Sequence, residues 1–441
     1  MAIETSTAPA ATGGCPVDHG QFGTADRSGA DTHDGAENHY GYQPFDMTDP
    51  FPSYERLRRN APVHFDERIG YWVVTRYADV KAVFDDWETF SSENAQAPIR
   101  PRSAGATEIM TEGGFTAYSG LSARVPPEHT RIRAIAQRAF TPRRFKLLEP
   151  TIRENTRLAL DAMLASSDAT GDFLTDVAYD IPTITILTLL GVHPSMVPTY
   201  KRWSDSRAAM TWGDLSDDEQ LPHARNLVEY WQECIQLVVQ AHRDGGDSLV
   251  ADLVRAQEGG AEISDHEIAS LCYSLLFAGH ETTTTLIANS ARVLLSHRDQ
   301  WDRIVADQAL IPGAIDEVLR YSGSILAWRR RALADAEIGG VAVPKGADIL
   351  LVMGSANRDE AVFENPDEFD ITRPDARSHL SFGFGIHYCL GNQLAKLQAK
   401  IVLEETIARA PQLRLVEGAE ITFGENLSFR APTSVPVTWK A

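Results

Sequence analysis

The feature that most constrains this chain is FGFGIHYCLG, Phe382 to Gly391, followed by the helical pattern NQLAKLQAKIVLEETIARA. A lone cysteine, Cys389, stands where loop becomes helix. Gly383 and Gly385 let the backbone turn tightly and approach a flat object, and Gly391 leaves the other side of the sulfur uncrowded. Unpaired amides and the positive end of the following helix are expected to lower the thiol pKa and temper thiolate charge. Such a loop suits a thiolate metal ligand; the alternative is a buried cysteine acting as a small hydrophobe. The other cysteines, Cys15, Cys234 and Cys272, form no CxxC pair or zinc-finger spacing. Neither a disulfide framework nor a cysteine-rich metal site is therefore encoded.

Composition narrows the setting. The 441 residues are 43% apolar and 23% charged, as in ordinary globular proteins. Lys plus Arg number 41 against 61 Asp plus Glu, and a net charge of −20 repels nucleic-acid phosphates and anionic lipid. The longest apolar stretch, Ile181 to Val192, is interrupted by Pro and Thr and falls short of the ~18 residues a membrane span needs. With no secretory signal at the amino terminus, the expectation is a cytoplasmic protein without nucleic-acid or membrane partners.

Residues 1–43 carry no apolar period and read as a loose tail, in which Cys15 and His19 of CPVDH form an incidental motif, a metal or haem-sensing role being the alternative. Residues 44–441 read as one domain without linker or repeat. Its expected class is mainly α with minor β. Helices are predicted over Pro52–Arg59, Tyr77–Asp85, Glu128–Phe140, Thr151–Ala165, Leu221–His242 and Gln300–Ile311. Strands are predicted over Gly70–Thr75, Glu337–Val343 with a turn at Gly339-Gly340, Ile349–Met353 and Ser434–Trp439.

Ser264 and Glu267 form a capping-box pattern that opens a long apolar run. Continued to His297, that helix spans roughly 50 Å at ~1.5 Å per residue and crosses the whole domain. Its middle reads AGHETTTT, where Gly and clustered Thr both disfavour helix. Local conflict of this kind concentrates at functional sites. Close packing at Gly279, with Thr hydroxyls bonding back to the preceding turn, is the alternative.

These motifs together resemble the cytochrome P-450 family of haem-thiolate monooxygenases: FGxGxHxCxG is matched in full, with Ala395 four residues beyond the last Gly. The resemblance runs from about Phe45 to Trp439 and implies the P-450 fold, with a long central helix over haem b and small β-sheets. It makes Cys389 the axial ligand of the haem iron, whose electron donation favours O–O cleavage. Glu317 and Arg320 of EVLR, three apart, match the family's ExxR pair, which closes a structural triad with Arg373 of FENPDEFDITR. An exposed i,i+3 ion pair would give the same spacing. Haem propionates fall to His129 and Arg133 of PPEHTRIR, to Arg330 of the WRRR run and to His387, with Arg329 and Arg331 as competing choices for Arg330.

The resemblance also aligns Glu281 and Thr282 with an acid–alcohol pair that delivers protons to dioxygen. Because peroxide-driven relatives lack that pair, dioxygen with two electrons is favoured over a peroxygenase. Neither a dinucleotide fingerprint nor four-cysteine ferredoxin spacing is present, so NAD(P)H electrons are expected through a flavin and iron–sulfur redox partner. GGFTAYSGLSARVPPEHTRIR and AFTPRRFK resemble the bacterial subfamily in which haem domain, flavin reductase and ferredoxin are fused. The partner is then either a removed carboxyl-terminal fusion or a protein acting in trans. The basic stretch Arg131, Arg133, Arg138, Arg143, Arg144 and Lys146 is expected to steer it, solvated helix charge being the alternative.

By position in the family, the substrate pocket comprises Phe115, Tyr118, Phe277, Ala278, Leu326, Ala327, Leu427 and Phe429. That apolar set suits hydroxylation or O-dealkylation of small aromatic or alkyl-aryl compounds, with thiocarbamates or fatty acids as the second choice. A haem sensor or carrier would need Cys389 but not Glu281 and Thr282.

Overall fold

The computed structural model describes residues 40–118 and 120–440; Cys15 and His19 lie outside the described residues. The packed chain begins before residue 44: the Tyr42 ring is buried beside Tyr54 and Leu57, and its carbonyl accepts from Arg68 Nη1 at 2.9 Å. Helices dominate. Leu, Ile and Val on their inward faces merge into one large apolar core that also takes in Trp231, Trp301 and Phe173. Apolar burial at ~25 cal/mol per Å² is the main force assembling it.

A five-stranded sheet forms the smaller part of the architecture. In spatial order its strands are Val63–Asp66, Tyr71–Val74, Asp348–Leu351, Trp328–Ala332 and Phe90–Ser91. Tyr71–Val74 pairs in parallel with Asp348–Leu351, and Trp328–Ala332 runs antiparallel to the latter with Arg330 opposite Ile349. The predicted Glu337–Val343 hairpin forms with Gly339 and Gly340 at φ +57° and +84°.

Three helix predictions need correction. The Gln300–Ile311 segment is split: a helix over Arg298–Ala306 stops, Asp307 Oδ1 accepts from the Ala309 amide at 3.0 Å, and Pro312 opens a new helix over Ile311–Tyr321. The helix expected from Thr151 begins at Pro142, because the Thr141 hydroxyl caps the Arg144 amide and Pro150 is accommodated inside the element. The central helix is two helices, Asp265–Ala278 and Glu281–Ser296. Its start matches the capping box: Ser264 Oγ accepts from the Glu267 amide at 3.2 Å, and Glu267 Oε2 accepts from the Ser264 amide at 2.9 Å. It breaks at Gly279 and His280, and glycine is required at the first of these because a Cβ there would lie 2.9 Å from Ile186 Cδ1.

Glu317, Arg320 and Arg373 meet in the interior, not on an exposed helix face. Arg320 Nε and Nη2 donate to Glu317 Oε2 and Oε1, each at 2.7 Å, and Arg373 Nε donates to Oε1 at 3.2 Å. The Arg320 side chain also donates to the carbonyls of Asn357, Pro366 and Glu368. Every donor of a wholly buried guanidinium is thereby occupied, and the Ile311–Tyr321 helix is tied to the segment preceding the cysteine loop. Replacing Glu317 with Gln leaves two buried guanidinia without a counter-charge. Breaking such a pair costs about 3–5 kcal/mol, so chemical denaturation of Glu317→Gln is expected to show a loss of that order; a loss below about 1 kcal/mol would remove the triad from the fold's supports.

Candidate active site

A cavity of about 260 Å³ is lined by the cysteine loop, the break in the central helix and the Trp328–Ala332 strand. In the loop the Cys389 amide donates to the Phe382 carbonyl at 2.9 Å, and Asn392 Nδ2 donates to the Cys389 carbonyl at 2.7 Å. Gly385, at φ +69°, is required here: a Cβ would lie 2.8 Å from the Phe84 carbonyl oxygen. The amides of Gly391 and Asn392 and the Arg133 guanidinium favour the thiolate, yet burial outweighs them and holds the Cys389 thiol above its usual range. This corrects the expected depression. Without a metal cation the loop's donors do not repay desolvation of the charge, whereas a bound metal deprotonates a coordinating thiol outright.

Arg133, Arg330 and His387 line the same cavity, and His129 packs against the last of them. His129 is 1% exposed, and neither ring nitrogen has a hydrogen-bond partner. Its ring centroid lies 4.2 Å from that of His387. Arg133 Nη2 donates to the Tyr388 carbonyl at 2.6 Å, and buried Arg330 donates to the Arg329 carbonyl at 2.8 Å. Burial first, then the two guanidinia, push His129 down to about 4. His387 is pushed down to about 2 by burial, then Arg330, His129 and Arg133. Among the described residues no carboxylate lines this cavity. Buried donors without acceptors, beside a glycine-walled loop with a single sulfur, fit a flat, doubly anionic group such as haem with its two propionates.

Strand parity resolves the choice within WRRR. Arg329 points away from the cavity to the carbonyls of Ala97 and Ala95, at 2.5 and 3.1 Å. Arg331 pairs with Asp348 at 2.8 Å. Arg330 alone of the three lines the cavity.

At the helix break the Thr282 hydroxyl donates to the Ala278 carbonyl at 3.0 Å, so a side chain takes up an acceptor freed by the interruption. Glu281 lies beside it. Burial and the neighbouring Asp205 push its carboxyl up to about 7, with Lys201 acting in the opposite sense. Lys201 Nζ in turn donates to Asp180 Oδ1 at 2.7 Å and to the Tyr179 carbonyl at 2.5 Å. His280, pushed down to about 3 by burial and Lys201, shares a hydrogen bond with Ser204 Oγ at 3.2 Å. The sequence reading missed Lys201, Ser204 and Asp205, which come from the separate Val197–Trp212 helix.

Of the expected pocket residues, Phe277, Ala278 and Phe429 line the cavity. The Phe277 ring stacks on Trp212 at 5.4 Å, and Phe429 meets Trp212 edge-on at 4.9 Å. The other five are displaced. Phe115 packs against Tyr273 and Trp231, with centroids 5.6 and 6.3 Å away. Tyr118 is 48% exposed and lies over His266. Leu326, Ala327 and Leu427 face a different apolar cluster with Tyr42 and Tyr54, while Ile325 and Trp328 on either side of the pair turn into the cavity.

The basic stretch is partly spent on internal pairs. Arg131 bonds Glu267 at 2.6 Å, and Arg144 bonds Asp252. Arg138, Arg143 and Lys146 are exposed and form no ion pair among the described residues.

The family model for Cytochrome P450 matches residues 69–409. Cytochrome P450 monooxygenase PikC of Streptomyces venezuelae is 34% identical over 400 residues, covering 89% of this chain and 91% of that protein. A solved structure of cytochrome P450 CREJ in complex with (4-ethylphenyl) dihydrogen phosphate is 71% identical with a TM-score of 0.90, covering 91% of this chain and all of that one. An intact type IV self-sufficient cytochrome P450 monooxygenase is 36% identical with a TM-score of 0.89; the match covers 96% of this chain and 55% of that longer one. Among the described residues no helix is long and apolar enough to cross a membrane.

An acid with a pKa of about 7 keeps its proton below that pH and loses it above. Infrared titration of the carboxyl band, with Glu281→Gln as the blank, is expected to place the Glu281 midpoint near neutrality. Lys201→Met should raise that midpoint and Asp205→Asn should lower it. A wild-type midpoint in the ordinary carboxylate range would exclude this coupling.

Proposed function

The chain belongs to the cytochrome P450 monooxygenase family, and on that premise we propose that it hydroxylates or O-dealkylates small alkyl-aryl compounds, with Cys389 as haem ligand and Glu281 and Thr282 as its proton-delivery pair. One observation carries the site assignment: Cys389, the Thr282 turn, Arg133, Arg330 and His387 border a single cavity, with the unpartnered His129 ring against His387. His129, Arg133, Arg330 and His387 would hold the propionates. When bound, haem supplies dioxygen activation with two electrons, placing one oxygen atom on the substrate and releasing the other as water.

The chain's own groups define the remaining work. Glu281 holds a proton at its carboxyl oxygen near neutral pH, and Asp205 and Lys201 set how readily it is released. Thr282 presents a hydroxyl beside it and can pass a proton on by rotating away from the Ala278 carbonyl. Phe277, Phe429 and Trp328 form a dry apolar wall that orients a ring and excludes bulk water.

The alkyl-aryl reading draws support from that wall and from the 4-ethylphenyl phosphate ester held by the 71% identical CREJ structure. Macrolide-class relatives such as 6-deoxyerythronolide B hydroxylase of Saccharopolyspora erythraea are less similar, at 32% identity. Electrons are proposed to come from NAD(P)H through a flavin and iron–sulfur partner that docks at Arg138, Arg143 and Lys146. Exposed Leu147 supplies an apolar contact beside them.

Three experiments test the proposal. The reduced carbon monoxide complex is expected to show the Soret position of thiolate ligation and to lose it in Cys389→Ser. Thr282→Ala should lower product formed per electron consumed by about a hundredfold, the lower end for a positioned proton donor; unchanged coupling would overturn its role. Neutralising Arg138, Arg143 and Lys146 together should slow reduction at low salt and flatten the salt dependence, whereas an unaltered slope would move the docking face elsewhere.

A further inference from the structure

A second cavity, of about 390 Å³, lies where the Phe51–Asn60 helix meets the carboxyl ends of the Glu281–Ser296 and Ile311–Tyr321 helices. It shares no lining residue with the cavity over the cysteine loop. Three arginines line it, Arg292, Arg358 and Arg430, the last two only 7% and 5% exposed.

Charge at this second cavity does not cancel. Arg358 Nη1 donates to Asp367 Oδ1 at 2.9 Å, and Glu55 pairs with Arg59 at 2.7 Å. Arg292 and Arg430 form no ion pair among the described residues; they donate to Asn289 Oδ1, to Ser322 Oγ and to the carbonyls of Met47 and Thr48. The remaining carboxylate, Asp49, stands exposed at the rim. Two unpaired guanidinia against one unpaired carboxylate leave the site short of one negative charge. Burial, then the charges of Arg292 and Arg358, push the Arg430 guanidinium down to about 9, with Asp49 and Tyr54 acting in the opposite sense.

Hydrogen-bond capacity points the same way. Ser322 Oγ accepts from Arg292 Nη2 at 2.7 Å and from Arg430 Nη1 at 3.1 Å, which fills both its lone pairs. Its own proton therefore has no acceptor among the described residues, although the side chain is 1% exposed and borders the cavity. Arg292 Nη1 and Arg358 Nε also lack acceptors among the described residues. Phe51, Pro52 and Tyr321 supply apolar surface beside these donors.

The same residues reach the haem cavity through the backbone. The Arg430 amide donates to the Ser324 carbonyl at 3.0 Å, and Ser324 Oγ donates to the Thr282 carbonyl at 2.8 Å. Ser324 lines the haem cavity, as does Phe429, the chain neighbour of Arg430.

We propose that Arg292, Ser322, Arg358 and Arg430 form an effector site for a small organic monocarboxylate, separate from the haem cavity and coupled to it through Ser324 and Phe429. A carboxylate accepts from the Ser322 hydroxyl and the free edge of the Arg292 guanidinium and supplies the missing charge, while its apolar body meets Phe51 and Pro52. A divalent anion overshoots that deficit. The inference stands apart from the choice of substrate.

Calorimetric titration of the haem-loaded protein tests this with benzoate and with benzamide as its neutral isostere. Benzoate is expected to bind one per chain, at least tenfold more tightly than benzamide. Arg292→Gln should weaken benzoate at least tenfold, with haem content as the control for folding, and Asp49→Asn should tighten it at least threefold. Should Arg292→Gln lose haem, the exposed Asp49→Asn change decides alone, and unaltered affinity there overturns the site. Coupling is read with imidazole, whose binding in the haem cavity shifts the Soret band: saturating benzoate should change its affinity at least threefold, to a limiting value, as linkage requires. No change would overturn the effector role. An imidazole affinity that keeps falling as benzoate rises would place benzoate in the haem cavity and overturn the separate site, as would equal binding of benzamide.

Discussion

Uncompensated positive charge inside an apolar cavity governs this structure. Arg330 is buried at the cavity edge, Arg133 is half-buried beside it, two imidazoles stand with them, and among the described residues no carboxylate lines the space. Burying ions without partners is costly, and the protein blunts that cost by keeping both imidazoles neutral. On the proposed assignment a dianionic cofactor would reverse the balance, because each unpaired donor would gain a charge-assisted hydrogen bond. Stability and cofactor binding would then be linked through the same four side chains.

The central helix shows how a local penalty becomes a site. Gly279 gives up helix propensity so that Ile186 can pack against its backbone, and the interruption frees the Ala278 carbonyl. Thr282 occupies that acceptor reversibly, by a hydroxyl and not an amide. Behind it, Asp205 and Lys201 act on Glu281 with opposite signs, so its proton affinity is set by a difference between two neighbours. Small movements of the Val197–Trp212 helix are consequently felt at the carboxyl.

Legibility in the sequence followed the range of the interaction. The cysteine loop was readable because its glycines, histidine and sulfur act within ten residues, and Ser264 with Glu267 announced a helix start for the same reason. The Glu317–Arg320 spacing was visible, but not its burial, since an exposed pair has identical periodicity. Lys201 and Ser204 left no signal: they reach the His280–Glu281 turn across 76 residues. The pocket prediction failed where parity mattered. Leu326 and Ala327 turn toward the Tyr42 cluster while Ile325 and Trp328 turn inward, and apolar character alone cannot say which face a residue takes. The strand Trp328–Ala332 escaped notice because three consecutive arginines mask its β pattern.

Those three arginines carry a further consequence. Three like charges in a row would be interchangeable on a helix or a loose coil, but a pleated ribbon sends them alternately to opposite sides. Sliding this ribbon by one position against Asp348–Leu351 would turn Arg330 to the face that Arg329 and Arg331 now occupy and bring one of those two to the cavity face. The cavity would therefore keep a cation after such a slip, and the native register is distinguished by what the other two arginines meet, the carbonyls of Ala95 and Ala97 for Arg329 and the Asp348 carboxylate for Arg331.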